Sequence, residues 1–597
     1  MSLALDLALA RFSPPVLVLL VVAGCAALGP TQAPGSEAAP AATTSSPALD
    51  LPGQTDQPAL PEPAPRRGTP VEDSPIYKLL VAEMAGHRGQ LDLSVSKYLE
   101  VARETRDPRV IDRAVRIAAF ARDDKAALEA ATLWVEVAPT NHEARRVLAG
   151  LYLRAGHVDE AVAQMRALFA ALKTTPAQTY ALLVEMLARE RDQDLAFTAM
   201  ERFVAGQEDD PLAQVALASL ALRRGALDRA ANLLQRVLER NPDEQTAMLL
   251  YAQVLQSQGK AAEAAEQIAQ ALARHPDDAG LRVAYGRLLV AVKRYDEAIQ
   301  EFRRVVDRNP ENGEARYALA LLLLQAEKLD DAEQQLRAIA SRGTRQLSAR
   351  FYLGQLAESR ERLDEAISWY RQVDQGEHYL DAQVRLGVLL ARQGRIDQAR
   401  QHLQSVETSN TKDQVRLFLV EAELLADAGR YADALAVQDL ALSEFPDDVD
   451  LLYARAMLAE KMNRLDLLER DLRAILAREP NHVQALNALG YTLADRTDRY
   501  QEAHDLVARA LAQRPDDYYI LDSMGWVLYR MGRNEEAVVY LRRAVAESGG
   551  DAEVAAHLGE VLWVMGDQAG ARAVWEAALQ RKPGDKRVTE VMQRLVP

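Results

Sequence analysis

An all-α solenoid of helical hairpins is the fold class this sequence predicts, and three observations predict it. Prolines stand at 34-residue steps at Pro242, Pro276 and Pro310, resume in phase at Pro446 and Pro480, and continue with Pro515 one residue late and Pro583 two periods on. Twelve residues before a marker proline sits a small residue: Ala230, Ala264, Ala298, Ala434, Ala503, Ala571. A second small slot lies twelve residues earlier still, held by Gly286, Gly354, Gly387, Gly525 and Gly559, or by Ala218, Ala252, Ala320 and Ala456.

The period explains the fold. Thirty-four residues accommodate two helices of about 13 residues and two short turns, and paired small residues let the two backbones approach closely. One hairpin cannot bury its apolar face alone, so neighbours stack into a solenoid with a continuous core and no central globule. Period and small residues together resemble the tetratricopeptide repeat, which implies a superhelical solenoid, and counting in phase along the chain gives about fifteen helix pairs. Function is then expected on surfaces.

Composition narrows the function classes. A chain of 597 residues would ordinarily form roughly three or four domains, but internal repetition favours one long array with appendages. The net charge of -16 argues against a nucleic-acid partner, which needs clustered Lys and Arg to release counterions. A single cysteine, Cys25, excludes an intrachain disulfide and a cysteine-based metal site.

Taken in order, residues 1–25 read as a secretory signal, with Arg11 ahead of an apolar run, Val16 to Val22, that is too short to span a bilayer. Val22-Ala23-Gly24-Cys25 resembles a bacterial lipobox, which implies that Cys25 is lipidated and becomes the first mature residue. The following residue is Ala26 rather than Asp, so the resemblance implies the outer membrane. Residues 26–75, rich in Pro, Ala, Ser and Thr without helical period, read as a disordered tether. An acylated cysteine holds such a chain on a membrane without a spanning helix.

The array is expected over residues 76–583. Carried backwards, the phase places markers near Arg106, Pro139, Lys173 and Glu208, in degenerate repeats that keep small residues at Ala82, Ser94, Ala149, Ala161 and Ala196. Between Pro310 and Pro446, repeats without the proline keep Ala332, Gly354, Ala366, Gly387 and Ala399. Asp243, Asp277, Asp447, Asn481 and Asp516 follow the prolines directly, where a side-chain oxygen is expected to cap the next helix. Residues 584–597 read as a C-terminal capping helix whose Arg587, Glu590 and Arg594 cover the last open face.

Chemistry is sparse. The sequence contains no HExxH or Walker-type motif, and its nine histidines show no ligand spacing, so neither a metal, a cofactor nor a nucleotide site is indicated. Pairs such as Asn141-His142 and Asn481-His482 read as turn and capping residues. So regular a solenoid leaves little chain for a catalytic domain, and a noncatalytic protein is expected.

The repeat also gives each tryptophan a direction. Trp134 and Trp575 fall on second helices and face the shared core, whereas Trp526 and Trp563 fall on first helices, at positions lining the concave surface of tetratricopeptide proteins. The same register collects Asn487, Tyr491 and Asp495 from one repeat, Tyr519, Asp522, Tyr529 and Arg530 from the next, and Glu560 from the third. A groove combining aromatics with a few charges suits an extended peptide or a partner loop. Lys and Asn at the spacing of a chaperone-type carboxylate clamp are absent, so capture of a C-terminal carboxylate is not carried over to this groove.

Finally, Ala485 to Val545, from ALNALGYTLADRTDRYQEAH onward, resembles the C-terminal repeats of a group of Gram-negative outer-membrane lipoproteins. That group shares the layout of lipobox, proline-rich tether and long array. The resemblance implies a lipid-anchored, periplasm-facing adaptor that binds a periplasmic carboxyl-terminal processing protease and promotes degradation of peptidoglycan cross-link hydrolases. The other function in view is a structural scaffold for envelope assembly, such as exopolysaccharide export or a secretion apparatus.

Overall fold

The computed structural model describes residues 73–342 and 345–596. The expected signal segment with Cys25, and the expected tether up to residue 72, lie outside the described residues. Among the described residues there are thirty-one α-helices and no strand. They form fifteen consecutive pairs, from Pro75–His87 with Leu91–Thr105 to Ala552–Val564 with Gln568–Arg581, and then the single helix Lys586–Leu595. Two compact units divide the chain, the first ending at Gln335 and the second beginning at Leu336. In the first unit the core is a succession of strips along neighbouring helices, from Ala82 to Leu151, from Ala149 to Val254 and from Met248 to Leu288. In the second, one strip runs from Val415 to Val588.

Small residues act as the period implies. In the first-helix slot, Gly354 lies so close to the second helix of its pair that an added Cβ would stand 2.5 Å from the Tyr370 ring. Gly559 faces the Trp575 indole in the same way, and Trp575 is fully buried. Each glycine thus makes room for a large residue sixteen positions later. The turn inside most hairpins uses a residue in the left-handed region. Gly225, Gly259 and Gly429 supply it in some pairs, while Lys293, Glu361 and Asn463 adopt φ of 62°, 57° and 56° in others.

The expected caps need correction. After each proline the chain completes a turn before entering the helix, as in the bond from Asp278 N to His275 O (3.1 Å). The capping position therefore falls one residue later than expected. Asp278 accepts from Leu281 N at 2.9 Å, Asp448 from Leu451 N at 3.0 Å, and Asp517 from Tyr519 N at 3.1 Å. His482 Nδ1 takes the role from Asn481 by accepting from Ala485 N at 3.1 Å. Asp243, Asp277, Asp447 and Asp516 instead pair with arginines of the next repeat, Arg274, Arg308, Arg478 and Arg543. Such exposed pairs contribute about 0–1 kcal/mol each. Asn141, by contrast, caps as its sequence implies, accepting from Glu143 N and Ala144 N.

Candidate functional site

Three first helices of the second unit carry the expected site: Val483–Arg496, Tyr518–Arg530 and Ala552–Val564. The middle helix is exceptional in being buried on every side from Ile520 to Leu528. An amphipathic repeat helix would normally leave one face wet. Here the flanking first helices close over it, and that closure forms the site.

Trp526 lies at the centre. Only 7% of it is exposed. Its indole Nε1 donates to Asp495 Oδ1 at 3.2 Å, and its ring stacks on the His557 imidazole at 4.3 Å and 27°. His557 Nδ1 in turn lies 3.0 and 2.9 Å from the two oxygens of Asp522, itself buried. The Tyr491 ring lies 6.2 Å from the imidazole, tilted by 38°. Arg530 donates to the Asp495 backbone oxygen at 2.8 Å and to the Tyr500 hydroxyl at 3.3 Å. The Tyr529 hydroxyl donates to Glu560 at 3.4 Å, and Arg594 from the last helix pairs with the same carboxylate. Asn487 places its Oδ1 in a buried position without a hydrogen-bond partner.

The structure therefore joins Tyr491, Asp495, Asp522, Trp526, Tyr529, Arg530 and Glu560 into one contiguous network. Three expected members stand apart: Asn487, which makes none of these contacts, Trp563 and Tyr519. Trp563 is half-buried and turns toward the second helix of its own pair, its ring 5.9 Å from Trp575 and beneath the Arg572 guanidinium at 5.4 Å. Tyr519 is 63% exposed and packs on Tyr518 at 4.0 Å. The expectation that Trp526 occupies a noncore position is corrected likewise, because Asp495 and His557 from neighbouring repeats enclose it.

Acidic groups dominate the electrostatics. Burial raises the Tyr491 phenol far above its usual range, and the nearby carboxylates of Asp495, Asp522, Glu553 and Glu460 add to that. Burial likewise raises Glu460, with Glu553 and Asp495 reinforcing the shift and Arg496 opposing it. For His557 burial disfavours the imidazolium, but Asp522, Glu553 and Glu560 together outweigh it and hold its pKa above the ordinary value. An acid-rich surface favours donors in a ligand, such as backbone N–H groups and basic side chains.

His557 and Glu460 are the members that sequence reasoning misses. Asn487 and Asp522 stand three residues before Gly490 and Gly525, whereas His557 stands two before Gly559, so repeat register alone does not select it. Among the described residues no group of three or more His, Cys, Asp or Glu side chains converges as a metal site would.

Comparison with known proteins matches models of the tetratricopeptide repeat to residues 215–279, 252–313, 380–449 and 453–518, and to 289–350 and 528–595, together more than half of the chain. The chain is 41% identical over 464 residues to a TPR repeat-containing protein of Pseudomonas aeruginosa, a match covering 77% of this chain and 78% of that one. Among solved structures, Naa15/Naa10 bound to HypK-THB aligns at 13% identity over 87% of this chain and 96% of its own, with a TM-score of 0.32. A thermophilic TPR protein of Thermus thermophilus aligns at 24% identity over 30% of this chain and 98% of its own, with a TM-score of 0.28.

Proposed function

The chain belongs to the tetratricopeptide-repeat family, and from that premise we propose that it is a noncatalytic lipoprotein adaptor, anchored in the outer membrane through Cys25 and facing the periplasm. Its partner is a periplasmic carboxyl-terminal processing protease, and it promotes degradation of peptidoglycan cross-link hydrolases by holding the substrate while the enzyme docks on another surface. The observation that carries this reading is a coincidence of place. The segment Ala485 to Val545, which resembles the repeats of adaptor lipoproteins, also holds most of the Tyr491–Asp495–Asp522–Trp526 network, where aromatic rings and carboxylates meet. Fixed aromatic faces supply contact area at low entropy cost, and polar groups set register.

The test is affinity capture from solubilised envelopes followed by mass spectrometry. Recovery of a serine protease of this class together with a cell-wall hydrolase is the expected result. Recovery of export or secretion components with neither of these would overturn the adaptor reading in favour of an assembly scaffold. The anchor is tested separately with Cys25→Ala, which is expected to appear in the soluble periplasmic fraction; its continued sedimentation with membranes in high salt would defeat lipidation.

A further inference from the structure

The two ends of the array are finished differently. At the C-terminal end the helix Lys586–Leu595 buries Val588 and leaves Arg587, Glu590 and Arg594 exposed, as a capping element should. At the N-terminal end the helix Pro75–His87 leaves Ile76, Leu80 and Met84 exposed at 80%, 57% and 45%. Spaced at i, i+4 and i+8, these three form one stripe along the outer face, with Tyr77 beside it. A contiguous apolar stripe on a terminal repeat marks an interaction surface, because a solenoid end facing only water is normally polar.

The pattern of this helix identifies the occupant. We propose that the stripe docks against the same helix of a second copy of this chain, antiparallel, about a two-fold axis at Leu80. In that arrangement Ile76 of each copy meets Met84 of the other, since both lie four residues from the centre, and Leu80 meets itself. Charge follows the same symmetry. Asp73 precedes the helix, His87 and Arg88 end it, all three are exposed, and none makes an ion pair among the described residues. Antiparallel pairing brings Asp73 opposite His87 and Arg88 at both ends, whereas parallel pairing would bring like charges together. It also sets opposite ends of the helix dipoles side by side. The contact is isologous, as a two-fold dimer requires. One helical stripe buries far less than the ~800 Å² per partner of a standard stable interface, so the dimer is weak and concentration-dependent in solution. This inference does not depend on the adaptor reading.

The experiment exploits the single native cysteine. The full chain with Cys25→Ala is cysteine-free and gives a clean background for cross-linking. On mild oxidation Leu80→Cys is expected to form a disulfide dimer by itself, because two-fold symmetry brings its Cβ atoms together. Ile76→Cys should cross-link only when mixed with Met84→Cys, and the exposed control Phe120→Cys should not cross-link. In sedimentation equilibrium over roughly 1–200 µM, a range matched to a weak complex, the average mass should climb towards two chains. Leu80→Glu should abolish the climb, Asp73→Arg should weaken it several-fold, and Asp73→Arg with Arg88→Asp should restore it. A single-chain mass throughout, with Leu80→Cys cross-linking no faster than Phe120→Cys, would overturn the proposal. Equal cross-linking of Ile76→Cys with itself would overturn the antiparallel register.

Discussion

His557 Nδ1 lies 2.9 Å from Asp522 Oδ2, so a buried hydrogen bond ties the helix Ala552–Val564 to Tyr518–Arg530 across a repeat boundary. On the imidazole side Glu553, Glu560, Tyr491 and Trp526 face the same space. Because the folded pKa of His557 is raised, its contribution is fully present below the unfolded value of about 6.5 and is lost as pH rises through the folded pKa. His378 and His402, whose pKa values burial lowers, act in the opposite sense, so the His557 contribution is read as the difference in urea midpoint between wild type and Asp522→Asn, which should be smaller at pH 9 than at pH 6. Asp522→Asn removes the main carboxylate that favours the proton on His557, so it should destabilise the protein more at pH 6 than at pH 9. An unchanged pH dependence in Asp522→Asn would place its origin elsewhere.

The two groove tryptophans are expected to behave differently. Trp526 is enclosed by Asp495 and His557, and its replacement by Ala opens a cavity and leaves both polar neighbours short of a contact. Truncating a buried aromatic costs about 3–5 kcal/mol. Trp563, half-buried on the flank of Trp575, should cost less than half of that. Circular dichroism during chemical denaturation of the two single variants measures the difference, and equal losses would contradict the deeper burial of Trp526.

The array was legible in the sequence because its determinants are local and repeated. Proline fixes where a helix ends, and a small residue must stand wherever two backbones approach, as Gly354 does against Tyr370. The capping positions were missed by one residue because the extra turn after proline depends on backbone geometry, not on residue type. Site membership was legible by register, which selects Asp522 and Tyr491, but not by exposure. Whether Trp526 is wet or enclosed depends on how closely successive first helices approach, and no spacing within one repeat encodes that distance.

Gly354→Ala tests the close approach directly. The added methyl group would stand 2.5 Å from the Tyr370 ring, and Tyr370 is held by its hydroxyl donating to Glu358 at 2.9 Å, so the ring has little freedom to yield. Overpacking of this kind costs about 1–3 kcal/mol. Adding Tyr370→Leu should return part of the loss by making room, a non-additivity that a double-mutant cycle detects. Strict additivity would show that the helices part without the ring's resistance.

Binding is best tested where stability is not at stake, which makes Tyr519 and Asn487 the informative positions. Tyr519 is largely exposed, so Tyr519→Ala should change folding stability by no more than about 0.5 kcal/mol. Asn487 leaves its Oδ1 unpaired, so Asn487→Ala removes an unsatisfied acceptor and should be neutral or slightly stabilising. If the first-helix surface holds an extended peptide, each side chain then matters only in the complex. Aromatic anchors commonly contribute ~2 kcal/mol or more, roughly thirtyfold in affinity at that value. The expected outcome is a double variant with wild-type helicity and urea midpoint whose affinity for the captured substrate falls by at least that factor, measured by calorimetry. Under the proposed adaptor function, in which the enzyme docks on another surface, affinity for the protease should stay within about twofold, a difference of only ~0.4 kcal/mol. Unchanged affinity for both would remove this surface from the binding site.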